Sequence, residues 1–224
     1  HSFPTRRSSD LISVKKLDID MCKKLVRFSL MLIVSAVAFP VVEIFIRESL
    51  IKSAGYAEAG IWQGSIKLSS AYLGFFSVFL ASYFLPIISP IFNKKEIGRH
   101  VAKFMLVVMV TFLLGGSVLY AGRAFFIPLL LSRDFADLET YIIYQLIGDF
   151  FKVSAYVIGF VTVAKAATKI YIFSEIIQAC IFLGLNFTLG ISIGGVAGVM
   201  FAYMCSYVIY FVFILFAFTY WVRS

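Results

Sequence analysis

Charge is scarce in this chain. Asp, Glu, Lys and Arg make up 14% of its 224 residues, where soluble domains carry about a quarter. That shortage excludes an ordinary soluble domain before any motif is read. Histidine is scarcer still, with only His1 and His100, the latter in a basic loop. No Ser/His/Asp set, no metal-ligand spacing and no phosphate-binding glycine loop occurs, so an enzyme has little to work with and no cofactor is expected. Cysteine is limited to Cys22, Cys180 and Cys205. Their spacing is unpaired and no His stands near, which argues against a disulfide framework and a metal site; they are expected as small core residues. Strict alternation of polar and apolar residues is absent, so a membrane β-barrel is excluded.

Apolar residues are what the chain has instead. They reach 61% of the sequence, with a mean hydropathy of +0.95. The 25 Phe and 12 Tyr are expected in belts at the membrane interfaces. A net charge of +8 does not point to nucleic acid, because the basic residues fall in short clusters between apolar runs. A helix needs about 20 apolar residues to cross the hydrocarbon core. Six stretches qualify: Phe28 to Ile46, Leu68 to Ile88, Val101 to Ala121, Leu138 to Ala164, Ile170 to Leu189, and Val196 to Trp221. Backbone groups cannot go unpaired in lipid, so these stretches predict an all-α integral membrane protein.

The basic residues set an orientation. Lys15, Lys16, Lys23, Lys24, Arg27, Lys94, Lys95, Arg99, Lys103, Lys165, Lys169 and Arg223 fall on one side. Arg47, Lys52, Lys67, Arg123 and Arg133 fall on the other, diluted by Glu48, Glu58, Asp134, Asp137 and Glu139. Both ends are therefore expected in the cytoplasm. Pro40, Pro86 and Pro90 are expected to kink or end helices. "FFIPLLLS" is too short to span and predicts an interfacial turn or helix. "GISIGGVAG" predicts a loop leading into the sixth span. There Gly194, Gly198 and Ala202 are spaced for close approach to a neighbour.

Polar residues inside the spans are the informative ones. Tyr141, Gln145, Gly148, Asp149, Lys152, Tyr156 and Gly159 share one face of the fourth span. Phe150, Phe151, Val153, Val157 and Ile158 point elsewhere and look lipid-facing. A central Asp or Lys costs about 2.5–3.5 kcal/mol on insertion, so the polar face looks onto a cavity or another helix. In the fifth span Tyr171, Glu175, Gln178 and Asn186 lie roughly on one face. Glu43 and Arg47 can pair one turn apart on the first span. Ser70 and Ser77 mark the second. Two readings of Asp149 and Lys152 fit: they neutralise each other and pin helix packing, or they stand as fixed charge in a wet central cavity. Lys67, Arg123 and Lys165 are expected to snorkel to an interface. The sequon at Asn186 lies at membrane depth and is discounted.

The first residues are of another kind. "HSFPTRRSSD", residues 1–10, resembles the translation of a sequencing-adapter oligonucleotide. On that reading the natural gene is cut here, and residues 11–224 are a C-terminal fragment.

"AGIWQGSIKLSSAYLGFFSVFLASYFLPIIS", "LLLSRDF", "YQLIGDFFKVSAYVIGFVTVAKA", "IYIFSEIIQA" and "AYMCSYVIYF" follow one another along the chain. In that order they resemble the second half of the Wzx-type flippases, within the multidrug/oligosaccharidyl-lipid/polysaccharide exporter superfamily. Within it, they resemble most the branch serving enterobacterial common antigen or O-antigen. The resemblance implies twelve helices in two six-helix lobes around a central cavity, of which this chain matches the second. It implies a multi-pass protein of the bacterial inner membrane that is a transporter and not an enzyme. The cargo would be an undecaprenyl-diphosphate-linked glycan, with a proton or sodium ion as the coupling ion. A glycan polymerase and a chain-length regulator would be partners.

The resemblance carries the "GIWQG" motif onto Gly60 to Gly64, and functional positions onto Arg47, Asp149, Lys152 and Glu175. Glu43 and Lys67 depart from the pattern. Arg47 and Lys152 are then the expected contacts to the diphosphate. Trp62, Gln63, Gln145, Tyr156 and Gln178 are the expected contacts to sugars, and Asp149 or Glu175 the site of ion coupling. A drug exporter of the same superfamily, a membrane-embedded glycan polymerase or acyltransferase, and a structural membrane subunit are the competing readings. One lobe alone is expected to be inactive.

Overall fold

The computed structural model describes residues 19–224, with side chains between positions 19 and 35 described only in part. The adapter-like stretch, together with Lys15 and Lys16, lies outside the described residues. The described chain is helical apart from short connections, with no strand among its residues. Helix α1 is Ile19–Ala54, α2 is Tyr56–Ile88 and α3 is Lys94–Ala121. A short α4, Arg123–Leu130, leads to α5, Leu138–Ala164. Then come α6, Thr168–Ile193, and α7, Gly195–Arg223. Five of these, α2, α3, α5, α6 and α7, are long and apolar enough to cross a membrane among the residues searched. The first of the six expected spans belongs to α1, whose leading part is described only incompletely.

Local chemistry explains most boundaries. Asn93 caps α3 by accepting hydrogen bonds from the backbone N–H groups of Lys95 at 3.0 Å and Glu96 at 3.4 Å. The helix therefore starts in the basic loop, ahead of its apolar run. Helix α2 widens into a π turn at Leu80–Phe84. Pro86 has no N–H to offer the carbonyl four residues back, at Ser82, and that carbonyl lies within the loosened turn. Pro40 sits inside α1 without ending it. The segment "FFIPLLLS" is mostly helix, anchored by buried Ile127.

Two expectations need correction here. The Gly-rich segment is not a loop: Ile191–Ile193 continues α6, and the chain breaks only at Gly194, whose φ of 80° suits glycine. Glu58 of α2 fixes the new start, since its Oε2 accepts from the Val196 N–H at 2.6 Å. A carboxylate there also faces the positive end of the α7 dipole. The cysteines are not core residues: Cys180 is exposed, and Cys22 and Cys205 are half-buried.

Helices α5 and α7 form the spine. Half of the membrane-crossing stretch of each is buried, against 17% of α3. The faces of α5 expected to meet lipid are therefore packed instead: Val153, Val157 and Ile158 are buried. Helix α7 comes so close to α6 that a β-carbon at Gly198 would lie 2.1 Å from the Gly190 carbonyl oxygen. Glycine at both positions permits this backbone contact.

Basic residues gather at one end of the bundle. Lys94 Nζ lies 5.4 Å from the centre of the Trp221 ring. Lys165, expected to snorkel, is tied to protein carbonyls at this end. Its ammonium donates to the Ile88 carbonyl at 2.8 Å, to that of Ser89 at 3.0 Å, and to that of Ile91. These carbonyls lie at the end of α2, where a helix runs out of backbone donors; of the three, that of Ile88 also accepts from the Ile91 N–H at 3.2 Å. Lys165→Met should cost about 1–2 kcal/mol. Hydrogen exchange should then quicken at the amides of Ser89 and Ile91; unchanged protection there would show that the clamp contributes nothing.

Candidate functional site

Asp149 lies on α5 where α2 and α7 close on it. It is fully buried. A lone carboxylate there would be prohibitively costly, and the sequence answers with donors from three directions. Ser69 on α2 donates to Oδ2 at 2.6 Å, and the Tyr72 hydroxyl donates to the same oxygen. Tyr203 on α7 donates to Oδ1 at 2.6 Å. Gln145, one turn earlier on α5, offers its amide N–H to Oδ2 at 3.3 Å.

Lys152 lies one turn further along. No direct ion pair joins it to Asp149 among the described residues. Its ammonium donates to the Tyr203 hydroxyl at 3.3 Å. It also sits over the rings of Phe39 at 4.5 Å, Tyr207 at 5.0 Å and Tyr203 at 5.6 Å. Glu43 and Glu175 are within electrostatic range of it. Glu43 makes no ion pair with Arg47, which is exposed; the charge Glu43 feels is that of Lys152.

Beyond Lys152 the packing opens. A cavity of about 430 Å³ runs between α1, α2, α5, α6 and α7, room for on the order of ten waters. Lys152, Tyr156 and Gly159 form its α5 wall, Tyr171, Ser174, Glu175 and Gln178 its α6 wall, and Tyr207 and Tyr210 close it from α7. Its walls reach Val163, next to the end of α5, and Tyr171, near the start of α6. It therefore extends from mid-helix toward the end that carries Lys165. Ser206 gives its proton to the Tyr203 carbonyl at 2.7 Å, so it can only accept from Gln178. The Gln178 Nε2 lies 3.5 Å away, and its Oε1 has no partner.

The polar face read on the fourth span is thus divided. Its first half, Gln145 to Asp149, is packed in protein, and its second half, Lys152 to Gly159, lines the cavity. Of the predicted residues, the cavity brings together Lys152, Tyr156, Glu175 and Gln178. Asp149 and Gln145 stand behind it. Trp62 is buried, with its indole N–H unpaired, and is not on the cavity wall; neither are Gln63 and Arg47. Sequence reasoning missed Tyr203, Tyr207 and Tyr210, and also Ser69 and Tyr72. The tyrosines repeat at intervals of four and three, the spacing of one helical face, and that signal was legible. They line the interior and not an interfacial belt. For Ser69, the neighbouring Ser70 was singled out instead, and Ser70 is exposed.

This division predicts a pattern of labelling. With Cys22, Cys180 and Cys205 replaced, cysteines introduced at 152, 156 and 175 should react with a water-soluble thiol reagent. Cysteines at 145 and 149 should not. Equal labelling of all five would mean that the Asp149 cluster is wet.

Over 194 residues, 87% of this chain, the sequence is 34% identical to the Lipid III flippase of Escherichia coli (strain K12). It is 34% identical over the same length to the Lipid III flippase of Shigella flexneri. The match takes in 46% of each relative, so the chain spans about half the length of the curated relatives it matches. No family model matches the chain, and no solved structure matches it.

Proposed function

We propose that this chain is one lobe of a bacterial inner-membrane flippase that moves an undecaprenyl-diphosphate-linked oligosaccharide between leaflets by alternating access. The observation that carries the reading is the 34% identity, over 87% of the chain, to proteins named as Lipid III flippases. A match confined to 46% of those relatives fits one lobe of a twelve-helix, two-lobe plan. The branch serving enterobacterial common antigen or O-antigen remains part of the proposal. So does the placing of both ends, and with them the Lys165 end of the cavity, in the cytoplasm.

In this reading the lipid tail stays in the bilayer and the head group crosses through the cavity. Lys152 offsets the desolvation of the diphosphate. Tyr156, Tyr207, Tyr210 and Gln178 give the sugars ring faces and polar contacts. Glu175 is the carboxylate that a proton or sodium ion entering the cavity meets, whereas Asp149 stands behind it, with Tyr203 between Asp149 and Lys152. Arg47, Trp62, Gln63 and Gln145 stand away from this cavity, and join the mechanism only where another access state or the other lobe brings the head group to them. A glycan polymerase and a chain-length regulator are the proposed partners of the complete transporter.

Two experiments test this. An in-frame second lobe upstream of this segment in genomic DNA is the expected finding, and a complete gene without one would overturn the two-lobe plan. In the complete transporter, Lys152→Ala should lower glycan export at least about tenfold at equal protein level. Undiminished export would remove Lys152, and with it this account of the cavity.

A further inference from the structure

We infer that Tyr203 is a positioning residue, whose hydroxyl holds the Lys152 ammonium at the inner end of the cavity and is the link through which Asp149 acts on the ligand. The inference rests on the function proposed above.

The direction of the hydrogen bonds carries it. A tyrosine hydroxyl has one proton, and Tyr203 gives it to Asp149 Oδ1 at 2.6 Å. Its oxygen is left as an acceptor, and Lys152 Nζ stands 3.3 Å from it. This is the one hydrogen bond of the Lys152 ammonium among the described residues. Its other contacts are the faces of Phe39, Tyr203 and Tyr207. One long hydrogen bond and three ring faces hold the amine in place, yet yield to a diphosphate, which offers shorter, charge-assisted bonds.

Tyr203 itself is fixed. It is 2% exposed, and its ring lies so close to Gly148 that a β-carbon there would come within 2.7 Å of it. Phe182 meets it edge-on, with centroids 5.5 Å apart, and Tyr207 packs at 4.8 Å. The hydroxyl is therefore a stationary point from which the flexible lysine reaches into the cavity. The groups competing for that lysine are Glu43 on α1, Asp149 on α5 and Glu175 on α6. Without the Tyr203 oxygen, these carboxylates draw the ammonium off its station.

Tyr203→Phe is the test, because it keeps the ring and removes only the oxygen. In the complete transporter, glycan export at equal protein level should fall about tenfold. The double variant with Lys152→Ala should be no worse than Lys152→Ala alone, since one substitution has already removed what the other acts through. Tyr72→Phe removes another donor to Asp149 that does not reach Lys152, and should cost distinctly less export. Unchanged export by Tyr203→Phe overturns the inference. So do losses that multiply in the double variant, or an equal loss in Tyr72→Phe, because each makes the hydroxyl a support for Asp149 alone. Full export by Lys152→Ala overturns the proposed function itself, a result the same set of variants reads separately.

Discussion

Asp149→Leu is expected to keep most of the chain from reaching its folded state. The carboxylate is the shared acceptor for Ser69, Tyr72, Tyr203 and Gln145. Leucine fills a similar space and accepts nothing. Each orphaned buried donor costs about 1–3 kcal/mol. Several at once should cost about 4 kcal/mol or more, at the extreme of single substitutions. The unfolding midpoint in detergent and the yield of membrane-inserted protein should both drop sharply. A further variant separates this from a loss of charge. Adding Ser69→Ala, Tyr72→Phe and Tyr203→Phe to Asp149→Leu removes the stranded donors, and should recover much of the stability, because deleting both partners of a buried hydrogen bond is nearly neutral. If Asp149→Leu leaves the midpoint where it was, water already serves these donors and the cluster is not dry.

Gly198→Val is the second large effect. The first atom of any side chain at Gly198 would lie 2.1 Å from the Gly190 carbonyl oxygen and 3.2 Å from the Gly190 Cα. The obstacle is backbone and cannot swing aside, so α6 and α7 must part. Overpacking of this kind costs about 3 kcal/mol, occasionally more. Parting the helices also disturbs the cavity, because Gln178 and Ser206 meet across the same interface. The expected result is a lower unfolding midpoint together with faster labelling of a cysteine placed at 175. Gly115→Ala is the matching control: nothing lies within 4 Å of a β-carbon there, and alanine is the better helix former. If Gly198→Val and Gly115→Ala behave alike, the helices pass each other with slack.

The long apolar segments were legible in the sequence because lipid imposes one rule on all of them. The span read at Leu138 to Ala164 is the helix observed. Ends were less legible where a helix runs on into polar sequence. Helix α2 begins at Tyr56, before its apolar run, because the buried face of "GIWQG" packs into the bundle. The glycine-rich stretch before α7 misled, since in a membrane protein glycine also serves helix contact, as at Gly190 and Gly198. In the site, Asp149 and Lys152 stood out because charge in an apolar run is costly. Their partners did not, because tyrosine and serine cost little in such a run and carry no signal singly. What joins them is approach between α2, α5 and α7, which separate stretches of sequence do not encode in their spacing. The faces of α5 show the same limit: Val153 and Val157 read as lipid-facing, and only the central place of the helix reveals them as core.

The sealing of Asp149 at one level and the opening below Lys152 give this helix bundle two mechanical grades. Above, parting the helices would strand the hydroxyls of Ser69, Tyr72 and Tyr203 in a dry interior, so that portion resists deformation and travels as a block. Below, the helices bound a cavity wide enough for water and are tied by contacts such as those of Lys165, which can be exchanged for water. Flexing is therefore cheapest toward the Lys165 end, and Asp149 sits where a fulcrum would.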